Sequence, residues 1–240
     1  MKNQLSLLSR MFGFFVCVTM LCSCGGDDDG SVTPPAGKRL AKITKIEHNT
    51  VLIFTYDSQG RVVRRDEYIN DVCNGYITFK YTDNKIVEKS YSHNSIQTTT
   101  EYTLENGLIV SDKHSQEGVD DAQYTYINNR IDTKTTNRHT YNYIWSGGNL
   151  MTVDREGKII TCEYTNIIAP QLPFNFMKPN NLLASYYGMT TKNLPSKFID
   201  DGTVVAYDWT MDGGYPVKRV MTETRSSGRI STAIWLFEWK

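Results

Sequence analysis

The sequence predicts an all-β protein, a curled antiparallel meander of repeated β-hairpins with about fifteen strands and one short helix-containing insertion. Three observations lead to this prediction. Triplets of an aromatic or apolar, a polar and an aromatic residue recur along the chain. Turn dipeptides that tolerate a positive φ follow most of these triplets. The proline-containing segment 169–201 interrupts the repeat.

The triplets predict strands that bury one face, because their apolar residues recur with a period of two. The residue between the two outer positions is polar in every copy. The last aromatic residues before the turns are Tyr56, Tyr81, Tyr102, Tyr126, Tyr143, Tyr164, Trp209 and Trp239. In the first copy Asp57 and Gly60 suit the first and fourth positions of a type I turn, with a positive φ at Gly60.

The N-terminus has the pattern of a secretory signal, residues 1–23: basic residues followed by an apolar run too short to span a bilayer. Leu21-Cys22-Ser23-Cys24 resembles a bacterial lipobox, which implies cleavage before Cys24 and lipidation of that residue. Cys22 fits the pattern less well, because the residue before it is not small. The alternative is an ordinary signal peptide with incidental cysteines.

An acidic run, Asp27, Asp28 and Asp29, follows the cysteine. It resembles the export tag of surface lipoproteins in Bacteroidetes-type bacteria; the alternative is a solvated linker. We therefore predict a tether over 24–37 and a single domain over 38–240. The predicted location is the outer membrane, with the protein lipid-anchored and facing the cell exterior.

Two cysteines remain in the predicted domain, in a compartment that permits disulfides. Cys162 falls in the buried column of its strand, whereas Cys73 falls in a connection several strands away. Two thiols without a bond between them, with Cys162 as a small core residue, are the favoured interpretation, and pairing stays open.

The insertion over 169–201 is predicted to cover the aromatic face of the sheet, because it is rich in large apolar residues. Its prolines, Pro195 among them, argue against a central strand. A short helix is expected over Leu182–Tyr187, capped by Asn180 or Asn181 and ended by Gly188. The last strand, ending at Trp239, is expected to form a fixed edge of the sheet.

Two family resemblances concern the repeat. The segment from Tyr56 to Val62 resembles the tyrosine-aspartate hairpin repeat of bacterial toxin shells and teneurins. The lipobox, the aromatic hairpins and the late insertion with Lys192-Asn193-Leu194-Pro195 resemble a Bacteroidetes family of secreted lipoproteins of unknown function. The second resemblance covers nearly all of the mature chain. It implies fold and address, and it supplies no catalytic residue.

No motif for catalysis, a metal or a cofactor occurs in the mature chain, so we expect neither an enzyme nor a cofactor. The net charge is zero and there is no basic block, which argues against a nucleic-acid partner. The expected function is a non-catalytic binding module for a glycan or a partner protein. The alternative is an envelope carrier that holds an apolar ligand between sheet and insertion.

Aromatic residues outside the buried column are the candidate ligand contacts. Trp145 stands beside the Gly147-Gly148 turn, where we expect its ring to project from the hairpin tip. The alternative is that it packs on the neighbouring hairpin. Tyr186 and Tyr187 on the expected short helix are the next candidates, because one of them should face outward.

Overall fold

The protein is a closed barrel of sixteen antiparallel strands, seen in a computed structural model that describes residues 37–174 and 182–240. The strands are β1 Leu40–Lys45, β2 Thr50–Tyr56, β3 Val62–Ile69, β4 Val72–Tyr81, β5 Lys85–Ser92, β6 Ser95–Glu105, β7 Leu108–His114, β8 Ala122–Ile127, β9 Arg130–Thr136, β10 Thr140–Ser146, β11 Asn149–Arg155, β12 Lys158–Ile168, β13 Asn193–Asp200, β14 Thr203–Asp212, β15 Tyr215–Thr224 and β16 Ile230–Trp239.

Each strand pairs with its neighbours in the sequence, and β16 pairs with β1 to close the ring. Leu40 lies opposite Trp239, and Lys45 lies opposite Trp235. The prediction of a curled meander with its last strand as a fixed edge is therefore wrong, because the sheet closes into a barrel. Closure satisfies the backbone groups of both end strands, which an open sheet would leave exposed.

The turns divide into two sets, one at each end of the barrel. The insertion end carries the turns that follow even-numbered strands, the described residues 169–174 and 182–192, and the chain at Lys38 and Lys240. The far end carries the turns that follow odd-numbered strands. At the insertion end, Gly60 has φ +83° and its N–H donates to the Asp57 carbonyl at 3.0 Å, which confirms the turn predicted there.

The alternation of faces is confirmed on β2. On β2, Phe54 faces the interior and is 1% exposed, whereas its neighbour Ile53 faces outward and is 39% exposed. The inner wall supplies the core, which continues onto buried side chains of the insertion such as Leu172, Leu182 and Leu183.

The insertion is shorter than predicted and contains no helix within the described residues. Residues 184–188 form a turn closed by the Met189 N–H on the Ala184 carbonyl at 2.9 Å. The predicted cap, Asn180 or Asn181, lies outside the described residues. The part predicted as insertion after residue 192 is β13, and it accommodates Pro195 at an irregularity in its pairing with β12.

Cys73 is exposed on β4, not in a connection, and Cys162 is buried on β12. No disulfide joins them. Burial raises the pKa of the Cys162 thiol to about 12, so the group is a neutral core side chain at physiological pH. Within the described residues, no helix is long and apolar enough to cross a membrane.

Candidate functional site

The predicted ligand residue Trp145 belongs to the barrel wall. It lies on β10, and its indole N–H donates to the Ile131 carbonyl on the neighbouring strand at 2.8 Å. The guanidinium of Arg130 stacks on its ring at 4.9 Å. The expectation of a projecting ring is therefore corrected: the ring packs on the adjacent hairpin, as the alternative had it. Ligand binding by Trp145 stays a prediction.

Among the described residues, Trp145 is one of seven aromatic residues that make the same contact near the insertion end. Each donates a side-chain hydrogen bond of 2.5 to 2.8 Å to a carbonyl near the start of the preceding strand. The donors are Tyr56, Tyr81, Tyr126, Trp145, Tyr164, Trp209 and Trp239. On β6 the last inward residue before the turn is Leu104, which cannot donate. Each of these hydrogen bonds joins an even-numbered strand to the strand before it. This circle of aromatic donors around the barrel therefore has a structural role.

Tyr187 fastens the insertion inside the barrel. Its side chain is buried, and its ring meets those of Tyr102 and Tyr124 edge-on, with centroids 6.2 and 5.0 Å away. Its hydroxyl reaches the Asp112 carboxylate at 3.5 Å. Burial raises the pKa of the Tyr187 phenol well above its usual value, so it remains a neutral donor. Of the predicted pair, Tyr187 faces inward and Tyr186 is half-buried beside Tyr81.

Asp112 is the centre of a buried polar network on the inner wall. Its carboxylate accepts the Tyr124 hydroxyl, the Ala122 N–H at 2.9 Å, and a contact from His114 Nε2 at 3.3 Å. His114 Nδ1 lies 3.0 Å from the Thr100 hydroxyl. Every group here has a partner, which is typical of a network that specifies a core. Among the described residues, no three side chains are grouped as a metal site would require.

Accessible space between the insertion and the barrel rim forms a groove of about 660 Å³, which we call the plug groove. Its polar lining consists of amides, hydroxyls and one guanidinium, from Asn106, Asn128, Asn129, Arg130, Gln171, Ser185, Thr190 and Thr191. Its apolar lining includes Leu108, Tyr164, Pro170, Leu172, Phe174, Met189 and Phe198. The described lining contains no carboxylate, imidazole or thiol, so it offers hydrogen bonds and apolar contacts without an acid–base pair.

Local backbone geometry positions the polar lining. Asn106 and Asn128 each have φ +51° in the turns that follow β6 and β8, a conformation that asparagine tolerates. Gly188 sits against the second of these turns, where a Cβ would lie 2.4 Å from the Asn129 carbonyl. Arg130 donates to the carbonyl of Thr190, which connects the rim to the insertion. The groove is thus held by contacts from both of its walls.

Sequence reasoning did not identify these groove residues. Asn128 and Asn129 suit a tight turn, and the turn alone explains their presence in the sequence. The available signal was the placement of asparagines at two turns of the same end. That signal is visible only when the barrel brings those turns next to residues 185–191.

The outer wall of the barrel carries charged pairs instead of a continuous apolar band. Cross-strand ion pairs of 2.7 Å join Lys42 to Glu238, Lys85 to Glu101 and Lys197 to Glu163. Exposed aliphatic residues occur too, such as Ile144, but its outward neighbour on the strand is Asn142. This wall therefore has the composition of a surface in contact with water.

Comparison with known proteins gives a likeness in fold. No family model and no curated protein matches the chain. A crystal structure of a porin-like protein from Bacteroides vulgatus ATCC 8482 matches with a TM-score of 0.52 at 13% sequence identity. The match covers 82% of this chain and 97% of that chain. At this identity the likeness shows the fold alone. The predicted lipidation and export residues, Cys24 and Asp27–Asp29, lie outside the described residues.

Proposed function

We propose that this chain is a lipid-anchored outer-membrane protein whose barrel stands in water and binds a glycan in the plug groove. The observation that carries the binding proposal is the lining of that groove: side-chain amides and hydroxyls around an apolar and aromatic floor. Sugars present hydroxyls at their edges and apolar C–H faces, so they match such a lining. The absence of acid–base groups from the described lining favours binding over hydrolysis.

The outer wall supports a water-facing barrel. A Lys or Arg on the lipid face of a membrane barrel costs about 2–4 kcal/mol at the bilayer midplane. The paired charges of Lys42, Lys85 and Lys197 lie on this wall. We therefore propose that attachment comes from the lipid on Cys24. The tether over 24–37 allows up to about 45 Å between lipid and barrel when extended.

The carrier alternative receives less support. The interior beside the insertion is packed, because Phe174, Leu183 and Met189 are buried against the inner wall. A separate pocket of about 160 Å³ is lined by Tyr143, Arg155 and Asp200 among others. It is small for a lipid and carries charges, whereas the plug groove is larger and open.

The binding proposal is tested by removing amides without disturbing the turns. Asn106→Gly with Asn128→Gly keeps the positive φ angles, because glycine adopts them without strain. We expect the double variant to lose about tenfold in affinity for the bound glycan, as two hydrogen bonds are worth about 1–3 kcal/mol. A glycan array identifies the bound glycan, and titration calorimetry measures the affinity of each protein for it.

The matched control is Asn94→Gly, which changes an asparagine of φ +63° in a turn at the far end. We expect it to bind like the wild-type protein. Equal losses in both variants, or no glycan bound by the wild-type protein, would contradict the proposal.

The proposed cellular location is tested in the native bacterium. Cys24→Ala should release the protein from the membrane fraction, because a lipidated cysteine supplies the anchor. Replacing Asp27, Asp28 and Asp29 with alanine should keep the anchor and remove protease sensitivity on intact cells. Membrane retention of the Cys24→Ala protein would contradict the anchor assignment.

A further inference from the structure

A second groove adjoins the plug groove on the other side of the insertion. It measures about 360 Å³, and we call it the basic groove. It has Gln171, Leu172 and Ser185 in common with the plug groove, so the two lie on one continuous surface around the insertion. Its other wall includes the start of the barrel at Lys38 and Arg39 and the turn between β2 and β3 at Arg61.

Three cations line the basic groove, and tyrosine rings lie beside each of them. Lys38 Nζ lies 5.5 Å from the Tyr215 ring centroid, and the Arg39 guanidinium lies 5.7 Å from that of Tyr56. The Arg61 guanidinium lies 4.5 Å from the Tyr81 ring centroid. Such stacking orients a cation while its charge remains available to a ligand.

The charge of this groove is only partly compensated. Arg61 makes an ion pair of 2.7 Å with Asp57, the acidic residue of the turn. Lys38 and Arg39 are exposed, and neither makes an ion pair within the described part of the chain. No carboxylate appears among the described residues that line the groove. Arg39 and Lys38 therefore bring two positive charges to this part of the surface, with no negative partner among the described residues.

The backbone holds this edge in place. Arg39 exchanges two hydrogen bonds with Lys240, of 2.7 and 2.9 Å, next to the β1–β16 pairing that closes the barrel. The Tyr56 hydroxyl donates to the Leu40 carbonyl at 2.7 Å. The two cations thus stand on a fixed strand end beside the insertion.

From this geometry we propose that the basic groove binds an acidic unit, a carboxylate or a sulfate ester, of the glycan whose neighbouring units occupy the plug groove. The ligand class is then an acidic polysaccharide. This inference rests on the proposed glycan binding, because the two grooves form one surface. Guanidinium and ammonium groups bind such anions by charge-assisted hydrogen bonds, which neutral sugars cannot replace.

The test uses matched pairs of oligosaccharides with the Cys24→Ala protein. Oligogalacturonate is compared with its methyl ester, and carrageenan oligosaccharide with its desulfated form. We expect the acidic member of at least one pair to bind at least tenfold more tightly in 20 mM salt. We expect this preference to shrink at 500 mM salt, where the screening length falls to a few ångströms. The pair that discriminates tells carboxylate from sulfate.

The variant Lys38→Gln with Arg39→Gln should lower binding of the acidic member to the level of the neutral one and leave neutral binding unchanged. The control Lys80→Gln with Lys113→Gln removes two exposed charges elsewhere on the barrel and should keep the preference. Should the Lys38 and Arg39 variant fail to fold, the salt dependence of the wild-type preference decides alone.

The outcomes separate the two proposals. Equal binding of acidic and neutral members, with loss of both in the Asn106 and Asn128 double variant, would overturn the acidic-glycan inference and keep the glycan proposal. Binding to no member of any pair would overturn both. Retention on phosphatidylglycerol vesicles that depends on Lys38 and Arg39, without a preference among the sugars, would assign the groove to a membrane surface and overturn the inference.

Discussion

The inner and outer walls of the barrel are built from neighbouring residues and differ in chemistry. Phe54 is enclosed in the core, and the adjacent Ile53 and Thr55 face outward. The inner wall joins aromatic and aliphatic side chains to the insertion, and the outer wall carries ion pairs. A membrane barrel has the opposite arrangement, with an apolar exterior and a polar interior. Strands that alternate between two faces can therefore form a barrel in water or in a lipid bilayer. The chemistry of the outward residues decides which of the two surroundings the barrel suits.

The largest expected effect is a difference in unfolding free energy between two substitutions at adjacent positions, one on each wall. Phe54→Ala should reduce the free energy of unfolding by about 3–5 kcal/mol, because it empties a packed site in the core. Ile53→Ala should change it by about 0.5 kcal/mol, as expected for an outward residue in water. Chemical denaturation of the Cys24→Ala protein measures both. Comparable losses at the two positions would remove the distinction between the walls.

The next effect concerns the buried carboxylate under the insertion. Asp112→Ala should reduce the free energy of unfolding by about 3 kcal/mol, because the donors of Ala122, Tyr124 and Tyr187 would lose a charged acceptor. Asp208→Ala, on the outer wall, is the matched control and should have little effect. If both aspartates behave alike in denaturation, the network does not fasten the insertion.

A smaller effect is expected at the ring of aromatic donors. Trp145→Phe keeps a ring but removes the N–H donated to Ile131, and it should lower stability by about 1 kcal/mol. Glycan affinity should stay unchanged if the ring is purely structural. Unchanged melting with lost binding would instead restore Trp145 as a ligand contact.

The smallest effect depends on pH. Burial raises the pKa of Glu88 above its usual value, although Tyr102 and Arg65 favour its charged form. Because the pKa of Glu88 is higher in the folded than in the unfolded protein, the folded protein holds this proton more tightly. The stabilisation from protonated Glu88 is therefore complete below the unfolded-state pKa and is lost as the pH rises through the folded-state pKa. Glutamine stays neutral at every pH. The gain in melting temperature of Glu88→Gln over the wild-type protein should therefore be larger at pH 8 than at pH 4. Melting temperatures of both proteins across this range check the sign; a gap that widens toward acid would contradict it.

Much of the fold is readable from the sequence because hairpins are local. The turn at Asp57–Gly60 and the alternation on β2 follow from residue chemistry within a few positions. Closure is not local, since β1 and β16 are separated by almost the whole domain. The sequences of β1 and β16 each have an ordinary strand pattern, and neither pattern indicates that the two strands pair with each other.

The errors in the repeat have physical causes as well. Tyr143 is predicted as the last inward aromatic of its strand, but β10 continues to Ser146, so Trp145, two residues later on the same face, occupies that place. Pro195 was read as excluding a strand, yet it lies in β13 at an irregularity, and its carbonyl accepts the indole N–H of Trp209. The groove was missed because its walls come from turns and an insertion that only closure brings together.

The central claim, that the outer wall of the barrel faces water, is tested most directly by spin labels on that wall. Thr125→Cys and Asn142→Cys, each in a Cys73→Ser background, place labels on outward positions of β8 and β10. The lipid-anchored protein is placed in liposomes, and collision of each label with a water-soluble nickel chelate and with oxygen is measured by power saturation. The account predicts strong collision with nickel at both positions. Dominant collision with oxygen, as in a bilayer interior, would contradict it and make the protein a membrane-spanning barrel.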